Sequence, residues 1–561
     1  MRAPSPPRTV AEAGRSGGLG RASVLLASGT LVSRVLGFVN AAVLAAVIGL
    51  NGQASTAFAV ANQLPNNIYA IIAGGLLSAV LVPQIVRAAL HDDGGQRFIN
   101  RLVTLGIVVF AGVTVLATLA APLLVRVYAS SGGQLQGDAL DLAIAFASWC
   151  LPQIFFYAVY SLLGEVLNAR GVFGPFTWAP VLNNLVMIGS VLAFALALGG
   201  DVPLRDPASW TADRVAWLAG GATLGVAAQA LILVVFWRRT GLGFRLDFRW
   251  RGVGLGAAGR AAGWTFGMIL VTQLAGIVQS QVATSADAVD ASSRALMVAW
   301  LVFMLPHSII AVSIATPYFT RMSHHARDGE LDRVRADLAD SLRTVGMLIF
   351  GTGVALVAAS VPFAALFGRT GAEITSTALV LVAFLVGLVP FSTLFLLQRT
   401  FYALGDTRTP FFIQLVQAGV FVSGALLVLL LPSPLIAIGL AIVTTVAGTV
   451  QAIVALLVLR RRLGGLDSAR WISGFGRFAL ATIPAGLAGL LVLWPLGGLG
   501  LTGGAGEPGV FATAHPVSSA LSVGLVGAAS LAVYLGVIAL MRVPELRVMA
   551  GPILRRLPGR G

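Results

Sequence analysis

Apolar residues run through this chain in long stretches that leave no polar face, unlike the narrow stripe of a soluble amphipathic helix. Stretches of about 20 or more such residues, enough to cross a ~30 Å hydrocarbon core as helices, recur from end to end. They predict fourteen helical spans. Six lie near 22–49, 56–89, 101–128, 138–166, 176–199 and 215–237. Six more lie near 256–285, 292–320, 341–367, 376–400, 410–431 and 434–460, and two follow near 475–499 and 517–541. The expected fold is all-α and integral to a membrane.

The polar segments between spans set an orientation. With the N-terminus inside, "WRRTGLGFRLDFRWRG", "RMSHHARDGELDRVRADLADSLR", "RRRLGGLDSAR" and the basic end of the chain all fall on the cytoplasmic side. Only Arg126, Arg205, Arg214 and Arg369 then lie outside, with Arg34 and Arg294 inside spans. That asymmetry follows the positive-inside rule. Residues 1–20 are Pro-, Gly- and Arg-rich and read as a disordered cytoplasmic tail, with no cleavage site closing off the apolar run behind them. Residues 542–561 read as a second basic cytoplasmic tail.

An internal repeat organises the spans. At an offset of 234 residues, Pro83, Arg87 and His91 meet Pro317, Arg321 and His325, and Ala169 and Gly171 meet Ala403 and Gly405. Each unit holds six spans, an even number, so both share one orientation and are expected to be related by an axis along the membrane normal. The predicted units are 21–240 and 255–462, with two extra helices at 474–541. In such folds substrate binds near the midplane between units, which rock to expose it alternately.

Composition agrees: 57% of the 561 residues are hydrophobic, 11% are charged, and the mean hydropathy is +0.89. The net charge is +15 and every basic residue other than histidine is an arginine. These arginines cluster between spans, which suits orientation signals and speaks against a nucleic-acid partner. The single cysteine, Cys150, rules out an intrachain disulfide framework or a cysteine metal cluster. The five histidines form no metal-binding constellation, and no nucleotide loop or nucleophile motif occurs, so an enzyme is not expected.

Several stretches resemble the MurJ/MviN family of lipid II flippases, within the multidrug/oligosaccharidyl-lipid/polysaccharide exporter superfamily. They are "SRVLGF", "NQLPNNIYAIIAGGLLSAVLVPQ", "GEVLNARGVFGPFTWAPVLNN" and "RTFYALGDTRTPF", within a likeness running from about residue 24 to 460. The resemblance implies a flippase that moves an undecaprenyl-pyrophosphate carrying a disaccharide-pentapeptide to the outer leaflet of the plasma membrane. It also implies membrane lipids and cell-wall synthesis or division proteins as partners, and no cofactor beyond a membrane potential or ion gradient. A pyrophosphate crossing hydrocarbon needs cations in a sheltered cavity, and arginine grips phosphate oxygens bidentately.

The family's Ser-Arg pair falls on Ser33 and Arg34. Its other cavity arginines fall on Asn40, Tyr69 and Leu301. Arg294, two helical turns from Leu301 on the same face, is expected to compensate and form a two-point cationic site with Arg34. The alternatives are that Arg294 pairs with Asp287 or Asp290, and that Arg34 pairs with Glu165. Asn40, Asn66 and Gln273 complete the expected substrate-binding set. Glu165 and Arg399, equivalent in the two repeats, are the expected cytoplasmic gate contact. Rival readings are a flippase for another polyprenyl-linked glycan, a drug or ion antiporter of the same superfamily, and a non-transporting cell-wall scaffold.

Overall fold

The computed structural model describes the backbone of residues 10–88, 95–129, 133–170, 172, 174–199, 204–249, 255–287, 290, 293–466, 468–498 and 510–546. Side chains of 10–27, 72–88, 169, 199, 255–262, 469 and 470 lie outside that description, as do the repeat residues Pro83, Arg87, His91 and Gly171 and most of the C-terminal tail. The described regular structure is helical throughout. In hydrocarbon a helix is the one open-chain form that satisfies its own backbone.

The stretch expected to form the first unit holds α1 (Val10–Ile48), α2 (Gln53–Ala88), α3 (Gln96–Leu119), α4 (Ala121–Tyr128), α5 (Asp138–Cys150), α6 (Gln153–Ala169), α7 (Gly174–Phe194) and α8 (Ala212–Trp237). That expected to form the second holds α9 (Leu255–Thr284), α10 (Ser293–Pro306), α11 (Val312–Arg327), α12 (Leu331–Ala358), α13 (Ser360–Ala364), α14 (Gly371–Val386), α15 (Leu388–Ala403), α16 (Arg408–Val428) and α17 (Ile436–Arg462). Beyond them lie α18 (Ser468–Leu493), α19 (Phe511–Ala514) and α20 (Pro516–Leu540). Among the described residues 12 helices are long and apolar enough to span a membrane, or 13 with α14 and α15 taken as one bent span. Where the second span is expected, α2 is a 36-residue helix whose later side chains are outside the description.

The structure departs from the expected elements where the chain interrupts its own hydrogen bonding. Helix α1 begins at Val10, ahead of the expected start near residue 22 and inside the stretch expected to be a disordered tail. The expected span at 138–166 breaks between α5 and α6 at Leu151 and Pro152, since proline has no N–H to donate. The span at 292–320 passes through a π-helical turn, His307–Ala311, directly after Pro306. The span at 376–400 bends by 40° at Gly387. There Thr445 Oγ1 donates to the Ala383 carbonyl at 2.8 Å, drawing that carbonyl out of the helix ladder. A Cβ on Gly387 would lie 2.7 Å from the same hydroxyl, so the bend is built around a residue with no side chain.

Two large apolar clusters divide the chain. One gathers Phe58, Phe146, Ile154 and Leu233; the other gathers Phe303, Leu338, Phe384 and Leu440. Helix α1 and the turn after it are the seam: Leu44 and Ile48 belong to the first cluster, Ala45 and, just past the helix, Leu50 to the second. Phe38 extends the seam by packing edge-on against Phe363 and Phe367, each at 5.1 Å. Helices α18 and α20 pack on α12, where Tyr534 donates to the Met347 carbonyl at 2.7 Å. Large apolar side chains such as Leu196, Leu430 and Leu540 stand more than four-fifths exposed (90%, 81% and 83%), as the lipid-facing surface of a multi-pass membrane protein requires.

Candidate functional site

Among the described residues the polar contacts between the two units are unevenly placed. Gln134 in the α4–α5 loop donates its backbone N–H to the Thr284 carbonyl at 2.8 Å and its side-chain amide to the Asp287 carbonyl at 2.7 Å. Beside it Ser280 and Gln281 donate to the carbonyls of Tyr128 and Val127, at 2.9 and 2.8 Å. Arg205 pairs with Glu373 at 3.2 Å, and the Arg369 guanidinium donates to the Ala46 carbonyl. All of these lie at the end of the spans that carries the α1–α2, α4–α5 and α13–α14 connections, called the sealed end below. Glu373 is 4% exposed and does two jobs there. One carboxylate oxygen takes Arg205, while the other accepts the backbone N–H groups of Arg369 and Thr370 in a capping box that starts α14.

At the opposite, arginine-rich end the described ion pairs stay on one side of the unit boundary. Arg101 pairs with Asp247, Arg321 with Asp337, Arg462 with Asp406, and Arg343 with Glu545 near the chain's C-terminus. Burial pushes the Asp406 carboxyl up, but bonds from Thr409 and the Arg462 charge outweigh it and hold it below the ordinary carboxylate range.

Between these ends, Arg34 and its neighbour Ser33 point to different partners. Ser33 faces the first unit, where the Asn184 amide on α7 donates to its carbonyl at 3.0 Å and reaches its hydroxyl at 3.4 Å. Arg34, one residue and about 100° further round the helix, lies near enough to His307 of the second unit for its charge to act on the imidazole. Its Nε is buried with no acceptor among the described residues. His307 is 3% exposed, bonds through Nδ1 to Ser392 Oγ at 3.1 Å, and is walled by Phe391 and Phe395. No ion pair joins Arg34 to Glu165 among the described residues, so the expected alternative of a structural pair is absent in this conformation.

Arg294 is 5% exposed at the start of α10, with a buried Nε that no protein group accepts. It makes no ion pair with Asp287 or Asp290; Asp290 instead accepts from Ser433 at 2.6 Å. His307 follows Arg294 by 13 residues, a rise of about 20 Å along a helix, which puts Arg34 and Arg294 at different depths. The structure therefore does not bring the two arginines into one two-point clamp. Asn40 keeps a buried, unpartnered Oδ1, Asn66 is exposed, and Gln273 is half-buried. Glu165 lies beside Tyr69, whose ring meets Tyr157 at 5.8 Å; Arg399 stacks over Phe319 and Phe395. Glu165 and Arg399 form no ion pair in this conformation.

Two features escaped sequence reasoning. A cavity of about 290 Å³ joins Gln63 of α2 to Thr272, Gly276, Gln279 and Ser280 of α9 and Trp300 of α10. A second, of about 360 Å³, shares Thr272 and Trp300 and reaches a chain of amides. In it Gln451 donates to Gln414 at 2.8 Å and Gln414 to Gln417 at 2.9 Å. The available signal was several glutamines, and His307 after Pro306, inside otherwise apolar spans; intramembrane polar residues of this kind mark functional paths.

Residues 44–497 match the family model described as lipid II flippase MurJ. A protein of Rhizobium tropici described as a probable lipid II flippase MurJ is 26% identical over 453 residues, 78% of this chain and 80% of the relative. One of Haemophilus influenzae, described in the same words, is 27% identical over 453 residues, 75% of this chain and 82% of the relative. Among solved structures, "Lipid II flippase MurJ, inward closed conformation" matches with a TM-score of 0.69 at 18% identity, covering 95% of this chain and 100% of that one. An inward-facing multidrug resistance MATE family transporter of the MOP superfamily matches with a TM-score of 0.60 at 17% identity, covering 77% and 94%. These two likenesses speak for the fold. With the family model spanning most of its length, the chain belongs to the MurJ lipid II flippase family.

Proposed function

We propose that this protein carries lipid II, an undecaprenyl-pyrophosphate-linked peptidoglycan precursor, from the inner to the outer leaflet by alternating access. The reading takes fourteen spans, two repeated six-span units, both termini in the cytoplasm and the sealed end outside. A single observation carries it. Among the described residues cross-unit polar contacts gather at one end, and about 20 Å short of that seal along α1 a buried arginine Nε without a described partner faces the second unit. Such a cation is suited to a pyrophosphate that enters from the unsealed side. Arg294, deeper toward the seal, then serves a later position of the headgroup rather than the same grip. A membrane potential or ion gradient supplies the drive, and cell-wall synthesis proteins are the partners such a cargo calls for.

The test is complementation in a bacterium depleted of its own flippase. The unmutated chain restores growth and Arg34→Ala does not, at equal membrane expression. In a purified-protein assay Arg34→Ala weakens binding of the lipid-linked pyrophosphate by about 10- to 100-fold, the worth of one charged hydrogen-bonding group. Failure of the unmutated chain to rescue would sink lipid II as the cargo. The second reading, another polyprenyl-linked glycan, is favoured by Asn40, Tyr69 and Leu301 standing where relatives of this kind place arginines. It predicts that the same assay binds a different glycan on the same pyrophosphate.

A further inference from the structure

A third cavity lies away from the unit interface. It measures about 410 Å³, within the ~300–1,000 Å³ of pockets that hold organic molecules. Its walls are Val103 and Ile107 of α3, Leu162 and Leu163 of α6, and Val234 and Trp237 of α8. These three helices pack onto other helices of the first unit. The roof is the strap that follows α8, with Leu242, Gly243 and Phe244 lining the cavity.

The strap is pinned. Thr240 Oγ1 donates to the Trp237 carbonyl at 2.7 Å and accepts the Leu242 N–H at 3.2 Å. Asp247 takes Arg101 Nε at 3.0 Å, and its own N–H donates to Thr104 Oγ1 at 3.0 Å. The cavity is thus framed by fixed groups. Val234 and Phe244, 51% and 44% exposed, leave it open toward the lipid-facing surface.

Two polar groups stand out against these apolar walls. Trp237 is 6% exposed, yet its Nε1–H has no acceptor among the described residues. A buried donor left unpaired is costly, which favours an acceptor supplied by a ligand seated against the ring. Arg238 stands at the rim, exposed and in no ion pair among the described residues. Across the strap a polar pocket carries Arg97, Arg245 and Arg249. The electrostatics favour an anion and the walls favour hydrocarbon; one molecule that supplies both is a charged lipid.

We propose that this cavity binds one anionic phospholipid of the surrounding membrane. One acyl chain fills the space between α3, α6 and α8, an ester carbonyl accepts the Trp237 indole N–H, and the phosphate meets Arg238. The site lies off the path between the two units, so it does not rest on the transport reading. Its occupant braces the strap over α3 rather than crossing the membrane.

The test is native mass spectrometry of the full chain, loaded with phosphatidylglycerol or phosphatidylcholine of identical acyl chains. One phosphatidylglycerol is retained where phosphatidylcholine is lost. Arg238→Gln removes that preference, weakening phosphatidylglycerol about tenfold, and Trp237→Phe weakens both lipids about threefold to tenfold. Ile107→Trp fills the cavity and abolishes retention of either lipid, with thermal melting used to confirm that each variant is folded. Inorganic phosphate at millimolar concentration leaves the bound lipid in place. The proposal is overturned by equal retention of the two lipids, by retention that survives Ile107→Trp in the folded protein, or by displacement with phosphate alone. Preferential retention of undecaprenyl phosphate over phosphatidylglycerol also overturns it, since the occupant would then be a polyprenyl lipid.

Discussion

The two ends of this molecule use the same residue types in opposite ways. At the sealed end Arg205, Arg369, Gln134 and Glu373 reach across the boundary between units, and several of their partners are backbone carbonyls. At the other end Arg321 and Arg462 each find a carboxylate inside their own unit, and Arg101 finds one on the strap that follows α8. In the rocking proposed for the two units, a bond across the boundary is made in one state and broken in the other; a bond within a unit survives both. The difference identifies which contacts bear on the conformational equilibrium and which only shape a unit.

The strongest way to break the comparison is Gly133→Ala. A Cβ there would sit 1.8 Å from the Thr284 carbonyl oxygen, a backbone atom that cannot rotate away. The sealed arrangement should lose about 1–3 kcal/mol, the range for overpacking a tight contact. Spin-label distances across the sealed end, on a background with the buried Cys150 replaced, should lengthen. An unchanged distance would mean that the seal does not depend on this loop.

Glu373→Gln comes next. It removes the charge that holds Arg205 and weakens the cap on α14, together about 1–2 kcal/mol. The same distances should shift in the same direction by a smaller population, while the arginine-rich end keeps its spacing.

The smallest effect is expected at Asp247. The Arg249 backbone N–H and the Arg101 side chain hold its carboxyl below the ordinary carboxylate range. A depressed acid stabilises the fold at every pH above its unfolded value of about 3.9, and the contribution is lost only as pH falls through the folded value. Hydrogen exchange in residues 242–249, corrected for intrinsic rate, should therefore not change between pH 8 and 5. Asp247→Asn should loosen the strap and leave the sealed-end distances alone. Coupling between the two ends in that variant would show that the strap, too, reports on the units' positions.

The sequence showed where helices run because lipid leaves the backbone few choices. Apolar length and flanking arginine are both local quantities. It also singled out Arg34, since a cation in an apolar run is conspicuous in one dimension. The breaks at Pro152 and after Pro306 were visible as residues but not as breaks, because prolines inside spans are often absorbed. The bend at Gly387 was hidden, since it needs the Thr445 hydroxyl from another helix.

Pairings were the least legible part. Arg34 and Arg294 looked like one site on a helical wheel, yet the depth of α10 separates them. Ser33 looked like half of a substrate motif, yet Asn184, 151 residues away, holds it. By itself, then, the sequence determined the class of protein, its helices and one buried cation, since each follows from composition over a single turn or span. Which end carries the described cross-unit contacts, that the Nε atoms of Arg34 and Arg294 are buried without a described acceptor, and where glutamines and aromatic rings enclose space depend on groups distant in the chain. Only the packing of helices against one another decided those.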